Sequence, residues 1–295
     1  MITKPKGECR PHAPPCNKAA TANLSAYQFW LLAREQVRLN NKAANVKGLE
    51  YAEKAIALDP NFATAYVVRA WLKYQKSWVS GLPWATQIKE FESDLRLALS
   101  LDPSNVDAHA GLIRYLGDTG QFTEASAEID RTVRDNPTNN NVLTIALSEL
   151  VYLGRPEEGV AMADLTLRLD PQMPPTKLSY LMSAYFFGRK FDRVIQLSDQ
   201  IPEDTRVQFD RFLRAASYAF LGRAEEAQRA KADLIAKNGE PVMEIWLNET
   251  ERFARTSEQD IEREGFRKLG LRICATEEEL KKFDNPKRLP ECVKT

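Results

Sequence analysis

The 295-residue sequence predicts an all-α fold: a right-handed superhelical solenoid of about six helix hairpins with C-terminal capping helices. Three observations carry that expectation. Four glycines, Gly120, Gly154, Gly188 and Gly222, stand 34 residues apart. An Asp-Pro or Asn-Pro pair recurs at Pro60, Pro103, Pro137 and Pro171, and the last three prolines are again 34 apart. The segments after the glycines are alike: GQFTEA, GRPEEG, GRKFDRV and GRAEEA. A fixed period of this length marks units that cannot bury an apolar face alone and must stack on their neighbours.

Taken along the chain, residues 1–24 read as a Pro-containing tail that carries Cys9 and Cys16. Its start, MITKPKGECRPHAPPCNKAA, has Lys4 and Lys6 but no apolar run behind them, so it is not a secretory signal as written. An exported form would carry its signal or anchor upstream. The array is expected over residues 25–240. The first proline spacing is 43 rather than 34, so one repeat holds about nine extra residues, and the insertions NKAANV and WVSGLPWAT lie in the first two repeats. In the third repeat the spacing predicts helix A over Val106–Thr119. Gly120 stops it, because a helix end favours a residue that tolerates left-handed backbone. Helix B then starts near Thr123 with Ala125, Ile129 and Val133 at helical spacing, and Pro137 ends it. Small residues at Ala125, Gly159 and Ala227 let helix backbones approach closely. The fifth repeat has one extra residue before Phe191. Residues 241–270 read as two capping helices, MEIWLNETERFA and SEQDIEREGFRKLG, and residues 271–295 as a second tail with a short acidic helix, EEELKKF.

Composition excludes some function classes. Lys+Arg and Asp+Glu both number 41, so no basic surplus exists for phosphate backbones, and nucleic acid is not expected as a partner. No run reaches the roughly 20 apolar residues that span a bilayer. The most apolar stretch, Ser179–Gly188, suits a buried helix. Two histidines are present; His12 falls in the tail and His109 at a helix-packing position. There is no Gly-rich phosphate loop, nucleophile elbow or metal-binding histidine pair, so no catalytic residue, cofactor or metal is expected. Cys9, His12 and Cys16 would supply three of the four ligands a structural zinc needs.

The four cysteines lie only in the two tails. Each tail pair closes a short loop, which points to disulfides Cys274–Cys292 and Cys9–Cys16 and to an oxidising, periplasm-like compartment. Four free thiols in a cytoplasmic protein is the alternative.

The repeated phrases resemble the tetratricopeptide-repeat family. The third repeat matches its pattern at Leu112, Leu116, Gly120, Phe122, Ala125 and Pro137, the fourth at Leu143, Leu150, Gly154, Gly159, Ala163 and Pro171, and the sixth at Ala215, Tyr218, Gly222 and Ala227. The likeness covers roughly Ser25 to Lys237. A narrower one is carried by AIALDP, GRPEEG, GRAEEA and EGFRKLGL, which are similar to the C-terminal repeat regions of bacterial class III adenylate cyclases and winged-helix regulators. The resemblance implies a non-enzymatic scaffold that binds a protein or peptide in a concave groove, in bacterial signalling. The alternative it implies is a regulatory or sensory region acting on a separate effector. Carried over residue by residue, the groove positions are Tyr27, Trp30, Arg34, Arg38, Trp71, Tyr74, Gln75, Arg114, Asn141, Ser148, Tyr185 and Phe212. Trp30 and Trp71 could equally pack between helices, because the insertions blur the register there. Tyr, Trp and Arg are the residue types that dominate binding hot spots.

Overall fold

The computed structural model describes residues 21–80, 84–249, 256–283 and 285–293, and no strand occurs among them. The chain divides into two compact units, up to Tyr115 and from Leu116 onward.

The first unit holds α1 (Leu24–Leu39), α2 (Lys42–Leu58), α3 (Ala63–Val79), α4 (Trp84–Leu101) and most of α5 (Val106–Asp118). Asn23 begins α1: its side-chain oxygen accepts from Ala26 N at 3.1 Å, while its amide donates to Leu58 O at 3.0 Å. One residue thus caps the first helix and ties it to the end of the second. The NKAANV insertion is built into α2 rather than looped out. Asn41 caps the helix by accepting from Ala44 N at 3.0 Å, and buried Asn45 donates to Leu72 O on α3 at 2.7 Å. Alanines make the close contacts: Ala26, Ala33, Ala52, Ala55 and Ala65 are all fully buried. A charge network joins the hairpin of α3 and α4. Arg69 donates to both oxygens of buried Asp94, at 2.9 and 2.7 Å, and Lys73 lies 3.0 Å from the same carboxylate.

The recurring LDP phrase has a local cause. Asp59 accepts from Asn61 N at 3.0 Å, Asp102 from Ser104 N at 3.1 Å and Asp170 from Gln172 N at 3.3 Å. Each aspartate closes a turn over the following proline and stops one helix before the next begins.

The second unit continues with α6 (Phe122–Asp135), α7 (Asn140–Tyr152), α8 (Pro156–Leu169), α9 (Pro175–Phe187), α10 (Phe191–Ser198), α11 (Gln208–Phe220) and α12 (Ala224–Asn238). The expected helix stops are present at Gly120, Gly154 and Gly222, with φ of +74°, +73° and +72°. After each, the next N–H reaches back: Gln121 to Leu116 O, Arg155 to Leu150 O and Arg223 to Tyr218 O, all at 2.9 Å. Gly188 departs from this pattern, with φ of −79°. Arg189 takes the left-handed role instead (φ 56°), and Lys190 N makes the equivalent bond to Tyr185 O at 2.7 Å. The extra residue before Phe191 has moved the turn one position along. Gly188 is kept for packing, since a Cβ there would lie 2.3 Å from Val160 Cγ2. Ala125, Gly159 and Ala227 are buried, as their small size requires.

Beyond the array lie α13 (Met243–Glu249), α14 (Thr256–Leu269) and α15 (Glu277–Leu280). Helix α14 stacks on α11, where Gly265 leaves room for Ala216 and Phe212, and Phe266 lies 4.8 Å from the Phe212 ring. The C-terminal segment, read from the sequence as a tail, is packed onto the rest of the second unit. Leu271, Leu289 and Cys292 join the main core of the second unit, and Val242, Ala275 and Leu280 form a small cluster of their own. Cys274 and Cys292 form a disulfide with their Cα atoms 5.3 Å apart. The Cys9–Cys16 pairing and His12 lie outside the described residues.

Candidate partner-binding surface

Three predicted residues converge on α1. Tyr27, Trp30 and Arg34 follow a three- and four-residue spacing, which places them on one helix face. The Tyr27 and Trp30 rings lie 5.2 Å apart, and the Arg34 guanidinium sits over the Trp30 ring at 4.7 Å. That distance is within cation–π range. Tyr27 and Arg34 are exposed. Trp30 is half-buried: its ring packs on Phe62 at 5.9 Å, and its Nε1 is shielded without a hydrogen-bond partner. Among the described residues Arg34 pairs with no carboxylate. Arg38, one turn on, is exposed and pairs with Glu35 at 2.9 Å.

On α3 the predicted pair turns toward the neighbouring helix. Trp71 and Tyr74 pack on Phe91 of α4 at 5.0 and 4.7 Å, and on each other at 5.5 Å. Both stay half-buried, so each presents only part of its surface. The other predicted positions need correction. Gln75 is buried and donates to Val37 O at 3.0 Å, tying α3 to α1. Arg114 on α5 is also buried. Ser148 is buried within α7 and donates to Ile145 O at 2.7 Å. Tyr185 and Phe212, expected as an apolar groove, are 1% and 0% exposed and therefore core. Phe212 is covered by Trp246 at 5.4 Å and by Phe266, two residues supplied from beyond the repeats. The Tyr185 hydroxyl donates to Asp164 Oδ1 at 2.6 Å. Burial first, and that bond second, push its pKa up to about 12, with Arg193 opposing. Asn141 is half-buried at the start of α7. His109 bonds Pro103 O through Nε2 at 2.9 Å, a local structural role.

Sequence reasoning missed one concave site, a pocket of about 360 Å³ in the second unit, lined by four arginines, 206, 211, 214 and 229. Arginines recur at Arg206, Arg211 and Arg214, which is a faint signal, but nearby acids of equal number hide it in the composition. No group of three metal-ligating side chains, and no helix long and apolar enough to cross a membrane, occurs among the described residues.

The helix hairpins, their close-packed small residues and their left-handed stops together are the tetratricopeptide-repeat fold. Solved structures share it. One is PilF of Pseudomonas aeruginosa, 15% identical, with a TM-score of 0.52 over 78% of this chain and 96% of that one. Another is PilW, described as a widely conserved type IV pilus biogenesis factor, 21% identical, with a TM-score of 0.53 over 73% of this chain and 94% of that one. At such identity the likeness is one of fold. No protein-family model matches the chain, and no curated protein matches it by sequence.

Proposed function

We propose that this chain is a non-enzymatic scaffold that binds a protein or peptide through the Tyr27–Trp30–Arg34 face of α1, with Arg38 beside it and the exposed parts of Trp71 and Tyr74 adding to it from α3. One observation carries the reading. A guanidinium 4.7 Å from the centre of a tryptophan ring, beside an exposed tyrosine, has no carboxylate partner among the described residues. Its position is set by the ring beneath, so little side-chain freedom remains to be lost on binding. A partner segment carrying an acidic and an aromatic or aliphatic side chain would satisfy both halves of the stack. A role in bacterial signalling rests on the repeat phrases alone, as does the alternative of a regulatory region acting on a separate effector.

The test is affinity capture with the intact chain and with an Arg34→Ala, Arg38→Ala double variant. Partners retained by the wild type should be lost by the variant at unchanged melting temperature. Equal retention by both would remove α1 as the contact surface.

A further inference from the structure

The outer face of α1 is apolar, whereas the end of a solenoid needs a polar face toward water. Helix α1 packs on α2 and α3 through Ala26, Ala33, Trp30 and Val37. On the opposite side of the helix stand Leu24, Gln28, Leu31, Leu32, Glu35 and Leu39, whose three- and four-residue steps keep them on one stripe. Leu24 is 70% exposed, Leu32 45% and Leu39 54%, and Leu31 is half-buried. Among the described residues no other helix exposes more than two large apolar side chains. The stripe borders the Tyr27–Trp30–Arg34 face but shares no residue with it.

The stripe reads almost the same from either end. About a midpoint between Leu31 and Leu32, Leu24 mirrors Leu39, Gln28 mirrors Glu35 and Leu31 mirrors Leu32. A twofold contact demands this of a surface, because each residue meets the partner's copy of its mirror position. Two α1 helices laid antiparallel bring leucine to leucine at both ends and in the middle, and bring each Gln28 amide to a Glu35 carboxylate. Glu35 already accepts from Arg38 at 2.9 Å through Oε2, and a carboxylate has room for further donors. The two Glu35 side chains then stand roughly 10 Å apart along the axis, at 1.5 Å of rise per residue. A parallel pair would instead set Glu35 against its own copy, like charge on like charge.

We propose that α1 pairs antiparallel with α1 of a second copy of this chain, through Leu24, Leu31, Leu32 and Leu39, with Gln28 donating to Glu35 across the contact. Removal of the leucines from water drives the association, and the one polar pair fixes its register. A single pair of helices buries less than a standard interface, so the dimer is a reversible one that dissociates on dilution. The twofold axis runs normal to both helices and leaves the two Tyr27–Trp30–Arg34 faces at the rim, on the same side of the pair. A dimer therefore offers that face twice. The pairing itself does not rest on that face having a partner.

Sedimentation velocity of the full chain over a dilution series reads the association, with circular dichroism as the check on folding. The wild type should pass from monomer to dimer as concentration rises. Leu32→Lys and Leu24→Lys change exposed positions, so they keep the fold, and each should weaken the dimer at least tenfold. Gln28 tests the register. Gln28→Lys sets an ammonium against the partner's Glu35 and should tighten the dimer. Gln28→Glu should loosen it, and adding Glu35→Gln to that variant should restore it. The Arg34→Ala, Arg38→Ala double variant should still dimerise, so failure of the partner face and failure of the pairing are told apart. A wild type that stays monomeric at its highest soluble concentration would overturn the proposal and assign the stripe to residues 1–20 or to a different protein. A dimer indifferent to Leu32→Lys, or one that Gln28→Lys and Gln28→Glu shift in the same direction, would overturn it as well.

Discussion

Arg288 donates from Nε to Glu244 Oε1 at 3.0 Å, and the carboxylate it meets is fully buried. The same glutamate also accepts from Leu289 N and Ala275 N, each at 2.8 Å. One side chain on α13 therefore holds two separate stretches of the C-terminal segment. Asn248, one turn further along, exchanges two bonds with the backbone of Lys287, at 3.0 and 2.9 Å. Glu244→Ala leaves the Leu289 and Ala275 amides without an acceptor, while Arg288 keeps Glu277 and two backbone carbonyls, and should cost about 2–4 kcal/mol. Glu244→Gln, which keeps an acceptor, should cost less. Urea denaturation of both variants checks the order; equal loss would mean that a neutral acceptor recovers nothing and that the charge carries the contact.

The disulfide closes the same segment from its other side, joining cysteines 18 positions apart in sequence. Cys292→Ser should lower stability by about 3 kcal/mol through the freer unfolded chain. Mass spectrometry of the non-reduced protein should find Cys274 and Cys292 joined, and Cys274 free in the Cys292→Ser variant.

At the fifth turn the usual glycine logic is reversed. Arg189→Gly relieves a left-handed arginine and should stabilise the protein by about 0.5–1 kcal/mol, since the ion pair it gives up with Glu264, at 3.6 Å, is exposed. Gly188→Ala should destabilise by about 1–3 kcal/mol, because the new methyl group meets Val160. Melting curves of the two variants should move in opposite directions.

Tyr185 provides a pH test. Its raised pKa, about 12, means that the folded state holds the phenol proton more tightly than the unfolded chain does. The resulting stability is fully present below the unfolded value of about 10 and is lost as pH rises through about 12. Ultraviolet titration should show one tyrosine ionising last, and Tyr185→Phe should remove that phase. The missing bond to Asp164 should cost about 1 kcal/mol at neutral pH.

The α1 face and the repeat core should separate cleanly under mutation. Arg34→Ala with Arg38→Ala alters exposed charges and should leave the melting temperature unchanged. Ala125→Phe places a ring at a fully buried methyl position and should disrupt the packing of α6. Circular dichroism of both variants reads the difference.

Local chemistry made the repeat legible before any contact was known. A left-handed stop needs glycine, and an aspartate before proline closes its own turn. Helix α5 therefore begins at Val106 and α6 near Thr123, as spacing alone requires. Even the misplaced fifth turn left a trace in the extra residue before Phe191. The exposure of a helix face is a different kind of property, because it depends on what arrives from elsewhere in the chain. Trp30 lies under Arg34 one turn away and could be read from spacing. Phe212 has the same hot-spot character, yet Trp246 and Phe266 bury it. Gln75 and Ser148 found backbone carbonyls, and Trp71 and Tyr74 found Phe91. The arginine pocket depends on packing most of all: it forms only when Arg211 reaches Asp233 across a hairpin, leaving Arg206 and Arg229 beside it without carboxylate partners. Periodicity reports hydrogen bonds made within a few residues, whereas burial and charge balance are sums over neighbours distant in sequence, and those exist only once the helices have packed.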